Sequence, residues 1–191
     1  MAKFRGLKTV IIVLVLAVML LLYFFYISRK MKNPAEEKEV TVLTSVDIAL
    51  QRNLDTNYPK TPKEVIKYFA ELTKVFVNES YTEEEMQALD DKLLGILDDE
   101  LVAYKTREDY LLDLENYVAS FKSGGYKITS YSPSASTDIE YFVEQDYECA
   151  RGWCQFTIKS GKFYQVQQYV FILRKDEDSH WKIFGWQIVD E

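Results

Sequence analysis

The chain is short of the side chains that most often carry chemistry. It has one histidine, His180, and two cysteines, Cys149 and Cys154, too few for a closed zinc site. Hydrolase nucleophile motifs and phosphate-binding loops are absent, and the cysteines are spaced C-x-x-x-x-C rather than as a redox C-x-x-C. His180 lies where a charged turn meets the last predicted strand, as surface residues often do. The sequence thus predicts no catalytic residue, no cofactor and no metal site, and it disfavours an enzyme.

Acidic residues are missing from the first 32 positions, which hold six of the 23 Lys and Arg residues. The rest of the chain therefore carries 17 basic against 30 acidic residues, a formal charge of −13. Such a domain repels nucleic acid and anionic surfaces on average, so no nucleic-acid partner is predicted. The acidic clusters at 98–100 and 176–178 fit no calcium-loop spacing and are interpreted as solvated turns.

The longest apolar run covers residues 10–27, VIIVLVLAVMLLLYFFYI, and contains no charge, amide or helix breaker. A helix of this length rises about 27 Å, close to the hydrocarbon thickness of a bilayer. We predict a transmembrane helix over 10–27 that binds the lipid bilayer, after a basic tail over 1–9. A cleaved signal peptide is the alternative, but the run is longer than a usual signal core and no small-x-small cleavage site follows it.

Charge alone leaves the orientation of this span open, because each flank holds three basic residues. A short basic tail is readily retained in the cytoplasm, and a first span then sends the following domain across the membrane. We therefore expect a single-pass plasma-membrane protein with a cytoplasmic tail and an extracellular C-terminal domain. The basic residues beside the span are interpreted as headgroup contacts.

Residues 28–57 are predicted to form a polar tether and a short leading segment, with a short helix at 45–53. Signals for longer helices follow this segment. Thr61 and Thr82 begin capping boxes, and Thr106 is followed by acids in the first turn of a third helix. A break is predicted near 95–100. The third helix carries an apolar stripe of Tyr110, Leu114, Tyr117 and Phe121, and a glycine cap at 124–125 ends it.

Beyond Gly125 the apolar period changes from helical to alternating. Strands are predicted at 126–132, 139–147, 154–159, 163–174 and 181–189, with turns at 160–162 and 175–179 and a candidate bulge at Gly185. Three helices followed by four to five antiparallel strands predict an α+β domain over 58–191. Its helices are expected to pack on one face of a curved sheet.

Cys149 and Cys154 flank Ala150 to Trp153, which we predict to be the loop of a hairpin. The two cysteines would then lie opposite each other at a separation that a disulfide can bridge. Outside the cell this bond would be a structural staple. The alternative is a pair of reduced, partly buried thiols, as expected if the domain faces the cytoplasm.

Aromatic residues are abundant, with 14 tyrosines and 11 phenylalanines. The simplest interpretation is an aromatic core with high strand propensity. The functional alternative is an aromatic pocket for a ligand or peptide, for which the candidate lining residues are Tyr141, Tyr147, Tyr164, Tyr169 and Trp186.

The order of elements, the helix signal TPKEV and the closing HWKIFGWQIVD resemble the nuclear transport factor 2-like superfamily, also called cystatin-like or SnoaL-like, over residues 58–190. More narrowly, the short basic tail, the single span and the segment NYPKTPKEV look like an uncharacterised family of membrane-anchored proteins from anaerobic Gram-positive bacteria. The resemblance implies a cone-shaped domain and no particular activity. Superfamily enzymes place acids, histidines or tyrosines inside the cone, but no catalytic motif of theirs matches this chain residue by residue.

The leading hypothesis is therefore a membrane-tethered, non-enzymatic domain that binds an unknown protein or small ligand. A structural component of a bacterial secretion or conjugation machine is the first alternative, since such proteins share a short tail, one span and a similar cone. An enzyme with a polar cone pocket is the second. The sequence leaves the oligomeric state open.

Overall fold

A computed structural model describes Tyr23 and residues 43–189 of the 191-residue chain. Residues 43–189 belong to one compact unit, which starts at Leu43. The predicted tail at 1–9, the predicted span at 10–27 apart from Tyr23, and most of the tether lie outside the described residues. Within the described part, the structure contains no helix that is both long enough and apolar enough to cross a membrane.

Within residues 43–189, five α-helices precede the sheet: α1 Ser45–Gln51, α2 Pro62–Asn78, α3 Glu83–Leu94, α4 Asp99–Val102 and α5 Arg107–Ser123. The three long helices begin as predicted, because the hydroxyls of Thr61, Thr82 and Thr106 each accept a backbone N–H from the first turn. The break predicted near 95–100 is confirmed by the end of α3 at Leu94. Gly125 follows α5 with a φ of 65°, as the predicted glycine cap requires.

The strands are β1 Tyr126–Pro133, β2 Glu140–Glu144, β3 Tyr147–Ser160, β4 Phe163–Lys175 and β5 Trp181–Val189, with a 3₁₀ turn at Ser136–Asp138. They form one antiparallel sheet in the order β1-β3-β4-β5. The long strand β3 pairs with β1 along residues 154–160 and with β2 along residues 147–151. The helices pack on this five-stranded sheet, so the predicted α+β class is confirmed. The register of β4 with β5 shifts beside Gly185, which confirms the predicted bulge.

The loop predicted at residues 150–153 is wrong, because β3 runs through them without a break. The chain turns instead at Gln145 and Asp146, which have φ angles of 50° and 68°. Gly152 serves packing rather than turning: an added Cβ would lie 2.6 Å from Cδ1 of Ile139 and 2.7 Å from Cδ1 of Ile66. A glycine that marks a close approach of neighbours was thus mistaken for a turn glycine.

Helix α2 provides the centre of the core and buries ten of its side chains against the sheet and its neighbours. The segment that leads into the predicted domain also belongs to this core, since Val46 of α1 is buried in it. Main-chain hydrogen bonds tie the α3–α4 connection to β5, with Asp98 N–H donating to Ile183 O at 2.9 Å and Ile183 N–H to Ile96 O at 2.9 Å. These bonds attach the α3–α4 connection to β5, the strand at one edge of the sheet.

The interpretation of residues 98–100 as a solvated turn is wrong for Asp98, which is buried and caps α4. Both of its carboxylate oxygens accept from Arg174, at 2.9 and 2.5 Å. The guanidinium lies between two aromatic rings, 4.3 Å from the centre of Tyr147 and 4.7 Å from that of Phe184. A bidentate pair needs this fixed geometry to offset the cost of removing both charges from water.

Candidate functional site

A cavity of about 740 Å³ lies between the helices and the sheet. Its volume is within the range of small-molecule sites, about 300–1,000 Å³. Its walls are mostly apolar and come from α2, α3, α4, α5 and strands β1, β3, β4 and β5. The apolar lining residues are Phe69, Phe76, Leu93, Leu94, Leu97, Leu101, Leu114, Phe121, Ile128, Phe156, Ile158, Trp186 and Ile188.

Helix α5 forms one wall of the cavity and also contacts α2 and β1. Val118 is the one residue of this 17-residue helix that is buried. The apolar stripe predicted for this helix, Tyr110, Leu114, Tyr117 and Phe121, lines the cavity with all four of its side chains. The stripe therefore lies over the cavity, with Leu114 and Phe121 also packed against the edge of the core, whereas the equivalent face of α2 is buried against the sheet.

Exposed lining residues mark the rim of the cavity, next to α4, α5 and the end of β5. Tyr104 is 85% exposed, and Lys105 and Asp113 form an ion pair at the surface. The Tyr110 hydroxyl donates to the carbonyl of Leu101, which holds α5 against α4. Gln187 and Ile188 of β5 are also exposed where they line the cavity. The space is therefore open to solvent along this rim.

Asp90 is the buried acid of the cavity wall. It lies on the inner side of α3, is 1% exposed, and its Oδ2 has no hydrogen-bond partner among the residues described. Burial raises the pKa of Asp90 to about 6, and the neighbouring Asp91 adds to the effect, while Arg107 opposes it. Arg107 itself pairs with Asp91 and not with Asp90. Asp90 thus contributes to the cavity wall, and its Oδ2 is enclosed there without a partner.

The remaining polar groups inside the cavity wall are already bonded or neutral. The Thr73 hydroxyl donates to Phe69 O at 2.8 Å, and the Tyr169 hydroxyl donates to Oε1 of Gln167 at 3.3 Å. Burial raises the pKa of both Tyr117 and Tyr169, so their hydroxyls remain protonated at neutral pH. Asp90 is therefore the group best placed to hold the polar end of an otherwise apolar molecule.

Two of the five candidate lining residues, Tyr169 and Trp186, line this cavity. The other three lie elsewhere: Tyr141 packs on Trp181 with ring centres 5.8 Å apart, Tyr147 lies against Arg174, and Tyr164 is beside Lys159. The cavity contacts β3 at Phe156 and Ile158, whereas β2 pairs with the other half of that strand. The five residues were predicted because they are aromatic and lie in strands. That pattern does not indicate which end of each strand faces the helices.

Sequence reasoning missed Asp90, although a signal for it exists. In the sequence of α3, apolar residues recur at Met86, Leu89 and Leu93, and Asp90 follows Leu89 and lies four residues after Met86. That spacing places a carboxylate at the edge of the apolar face rather than on the solvent side. The adjacent Asp91, which is solvated, made the pair resemble an ordinary charged surface.

Cys149 and Cys154 are both free and buried. They lie five residues apart in one strand, a Cα separation of about 16 Å, whereas a disulfide needs less than about 7 Å. The structure therefore supports the reduced alternative and does not bring the pair together. Burial raises the pKa of both thiols, to about 12 for Cys154, which makes them poor nucleophiles.

His180 lies outside the cavity, stacked on Tyr58 with ring centres 4.2 Å apart. Its backbone N–H donates to Oδ1 of Asp176 at 2.7 Å, which closes the turn before β5. Within the described part of the chain, no group of three or more His, Cys, Asp or Glu side chains is arranged to hold a metal ion. Asp90 therefore has no imidazole beside it with which to form an acid–base pair.

A comparison with curated proteins finds no match. A family model described as a domain of unknown function (DUF6715) matches residues 1–186. The match includes the predicted span and the folded unit as far as Trp186, and with it most of the residues that line the cavity. The chain therefore belongs to the DUF6715 family.

Proposed function

We propose that the protein is a non-enzymatic binding domain that holds an apolar molecule in the cavity beside α5. The observation that carries this proposal is an apolar wall interrupted by one buried carboxyl, Asp90, with an unpartnered oxygen. Pockets with mostly apolar linings and a few placed polar groups are typical of small-molecule sites.

The chemistry of Asp90 limits the polar end of this molecule. A pKa of about 6 means that the carboxylate form predominates at neutral pH. A buried carboxylate only accepts hydrogen bonds, so its partner must donate. The ligand class is therefore a long apolar molecule with a hydroxyl or an ammonium group near one end.

The setting that we propose is the outer face of the plasma membrane, with residues 10–27 as the anchor. The length and composition of that run support the span, and the short basic tail supports the orientation. The fold that we propose in finer detail is the nuclear transport factor 2-like cone. Helices that precede an antiparallel sheet, with a cavity between the two layers, support it.

Binding is favoured over catalysis by the placement of the titratable groups. An enzyme that used this cavity would bring His180 beside Asp90, but His180 lies outside it, stacked on Tyr58 and 3.8 Å from Oδ2 of Asp176. General acid–base chemistry needs its groups within hydrogen-bond reach of the reacting atoms. A single carboxyl in an apolar wall suits recognition better.

Photo-crosslinking tests the proposal. The full chain is reconstituted in nanodiscs with a diazirine-bearing hexadecanol, irradiated and mapped by mass spectrometry. Crosslinks are expected in α5 and the end of β5, because both line the cavity. Leu114→Trp fills the cavity and should remove them, since an added indole competes for the same space. Leu112→Trp, at an exposed position of the same helix, is the matched control.

Labelling of residues 10–27 provides an internal standard, because residues that face lipid react with the probe whether or not the cavity binds it. Equal labelling of α5 in the Leu114→Trp and Leu112→Trp variants would refute binding in the cavity. Absence of labelling at 10–27 would refute the anchor, and the comparison of the two tryptophan variants would still test binding in the cavity.

A further inference from the structure

The end of the sheet where β3 turns into β4 presents a surface of lysine and aromatic side chains. Strand pairing brings Lys127 opposite Lys159, Lys159 opposite Tyr164, and Ser160 opposite Phe163. We call the group formed by Lys127, Lys159, Lys162, Phe163 and Tyr164 the hairpin tip. Gly161, with a φ of 58°, makes the tight turn between the strands.

The hairpin tip is basic, whereas the domain around it is acidic. The two stretches that build it, residues 116–137 and 149–175, contain no Asp or Glu, although the chain has 30 acids. No acidic residue therefore lies within ten positions of these lysines along the chain. The Lys159 ammonium lies 5.6 Å from the Tyr164 ring centre, so charge and aromatic surface are presented together.

The aromatic residues of the hairpin tip are uncovered. Phe163 is 82% exposed and Tyr164 is 64% exposed, and the first four residues of β4 are all exposed. The hairpin thus extends beyond the helices, and its side chains reach solvent on both faces. Large apolar groups left in water at the end of a basic hairpin are the combination that bilayer interfaces accept.

We propose that the hairpin tip docks on an anionic bilayer surface, with its aromatic side chains at headgroup level and its lysines on lipid phosphates. The acidic remainder of the domain would be repelled by the same surface, so the charge distribution orients the tip toward the membrane. A second copy fits less well at this site, because two hairpin tips would bring like charges together.

The tether permits this contact. The 15 residues between Ile27 and Leu43 span up to about 50 Å when extended, enough for any end of the domain to reach the bilayer. The inference rests on the proposed anchor for proximity. It is independent of what the cavity binds.

An environment-sensitive fluorophore at residue 165 tests the docking. The full chain carrying Gln165→Cys is labelled and reconstituted in phosphatidylcholine vesicles with or without phosphatidylglycerol. The native cysteines are buried and label poorly, which the unsubstituted chain checks. We expect a blue shift and quenching by spin-labelled lipid only in the anionic vesicles. Asp178→Cys, in the exposed turn before β5, is the control site and should stay in water.

Removing lysine charges measures how much they contribute to docking. Lys159→Gln with Lys162→Gln should reduce the ratio of docked to free tip by about 30-fold, since each lysine near an anionic surface contributes about five-fold. Lys60→Gln with Lys63→Gln removes the same charge elsewhere on the domain and should change the ratio little.

Three results would overturn the docking. The label could remain in water while the chain floats with the vesicles, which leaves the anchor intact. The chain could fail to float, which removes the anchor as well. The shift could follow the protein-to-lipid ratio equally in both vesicle types, which would indicate self-association.

Discussion

Replacing Asp90 with asparagine should stabilise the domain at neutral pH. In the native state burial raises the pKa of Asp90 to about 6, against an ordinary value of 3.8. The native state therefore holds the proton more tightly than the unfolded chain does. This contribution to stability is fully present below pH 3.8 and is lost as the pH rises through about 6. The difference between the two pKa values corresponds to about 3 kcal/mol.

Asparagine keeps the shape of the side chain and cannot ionise. The free energy of unfolding of the Asp90→Asn variant, minus that of the parent, should therefore rise with pH between about 4 and 7 and then level off near 3 kcal/mol. The measurement is urea unfolding of the reconstituted full chain, followed by tryptophan fluorescence at a series of pH values. Parent and variant are compared at each pH, so that other titrating groups cancel.

Asp178→Asn is the matched control, because Asp178 is exposed in the turn before β5. Its profile should run parallel to that of the parent. Parallel profiles for Asp90→Asn as well would refute the reasoning, since they would mean that Asp90 has the same proton affinity in both states. A loss of stability that grows as the pH rises would mean that the native state stabilises the carboxylate form and lowers the pKa of Asp90 instead of raising it.

Three further outcomes follow from the packing. Arg174→Ala leaves buried Asp98 without its partner and should cost about 3–5 kcal/mol in urea unfolding, and a loss below about 1 kcal/mol would contradict a buried pair. Gly152→Ala should cost about 1–3 kcal/mol, because the added methyl meets packed side chains. Gly185→Ala, where nothing lies within 4 Å and φ is not positive, is the control and should cost less. Cys149 and Cys154 should resist iodoacetamide until urea unfolds the domain, and rapid alkylation of the native chain would contradict their burial.

Local start and stop signals predicted the helices well. The threonine caps and the glycine after α5 act within one helical turn, so the residues that decide these boundaries are neighbours in sequence. The turns at Gly161 and before β5 are local in the same way. For such features the sequence contains the whole interaction.

Features set by distant partners were not predictable in the same way. Gly152 is required by Ile66 and Ile139, which are far from it in sequence, and nothing nearby distinguishes it from a turn glycine. Asp98 appeared to be solvated because its partner, Arg174, is 76 residues away. The cavity itself depends on how far α5 stands from the sheet, which no local pattern encodes.

The cavity raises an energetic question that bears on α5. Empty apolar space in a sealed core costs about 24 cal/mol per Å³, so 740 Å³ would cost about 18 kcal/mol, more than a whole domain usually has. The space must therefore be open to solvent or occupied, and the exposed rim at Tyr104 and Gln187 agrees with an open one. In an open cavity, the inner face of α5 contacts water instead of protein, and the helix gains little from burial.

Hydrogen exchange should reveal this difference between two helices of equal length. Amides of α5 should exchange much faster than those of α2, because α5 buries only Val118 and α2 buries ten residues. Adding hexadecanol should slow exchange in α5 and leave α2 unchanged, since a ligand that binds the folded helix stabilises it by mass action. Leu114→Trp should slow α5 without the alcohol, because the indole takes the place of the ligand. Similar exchange in both helices before addition would mean that α5 is held by contacts other than the cavity.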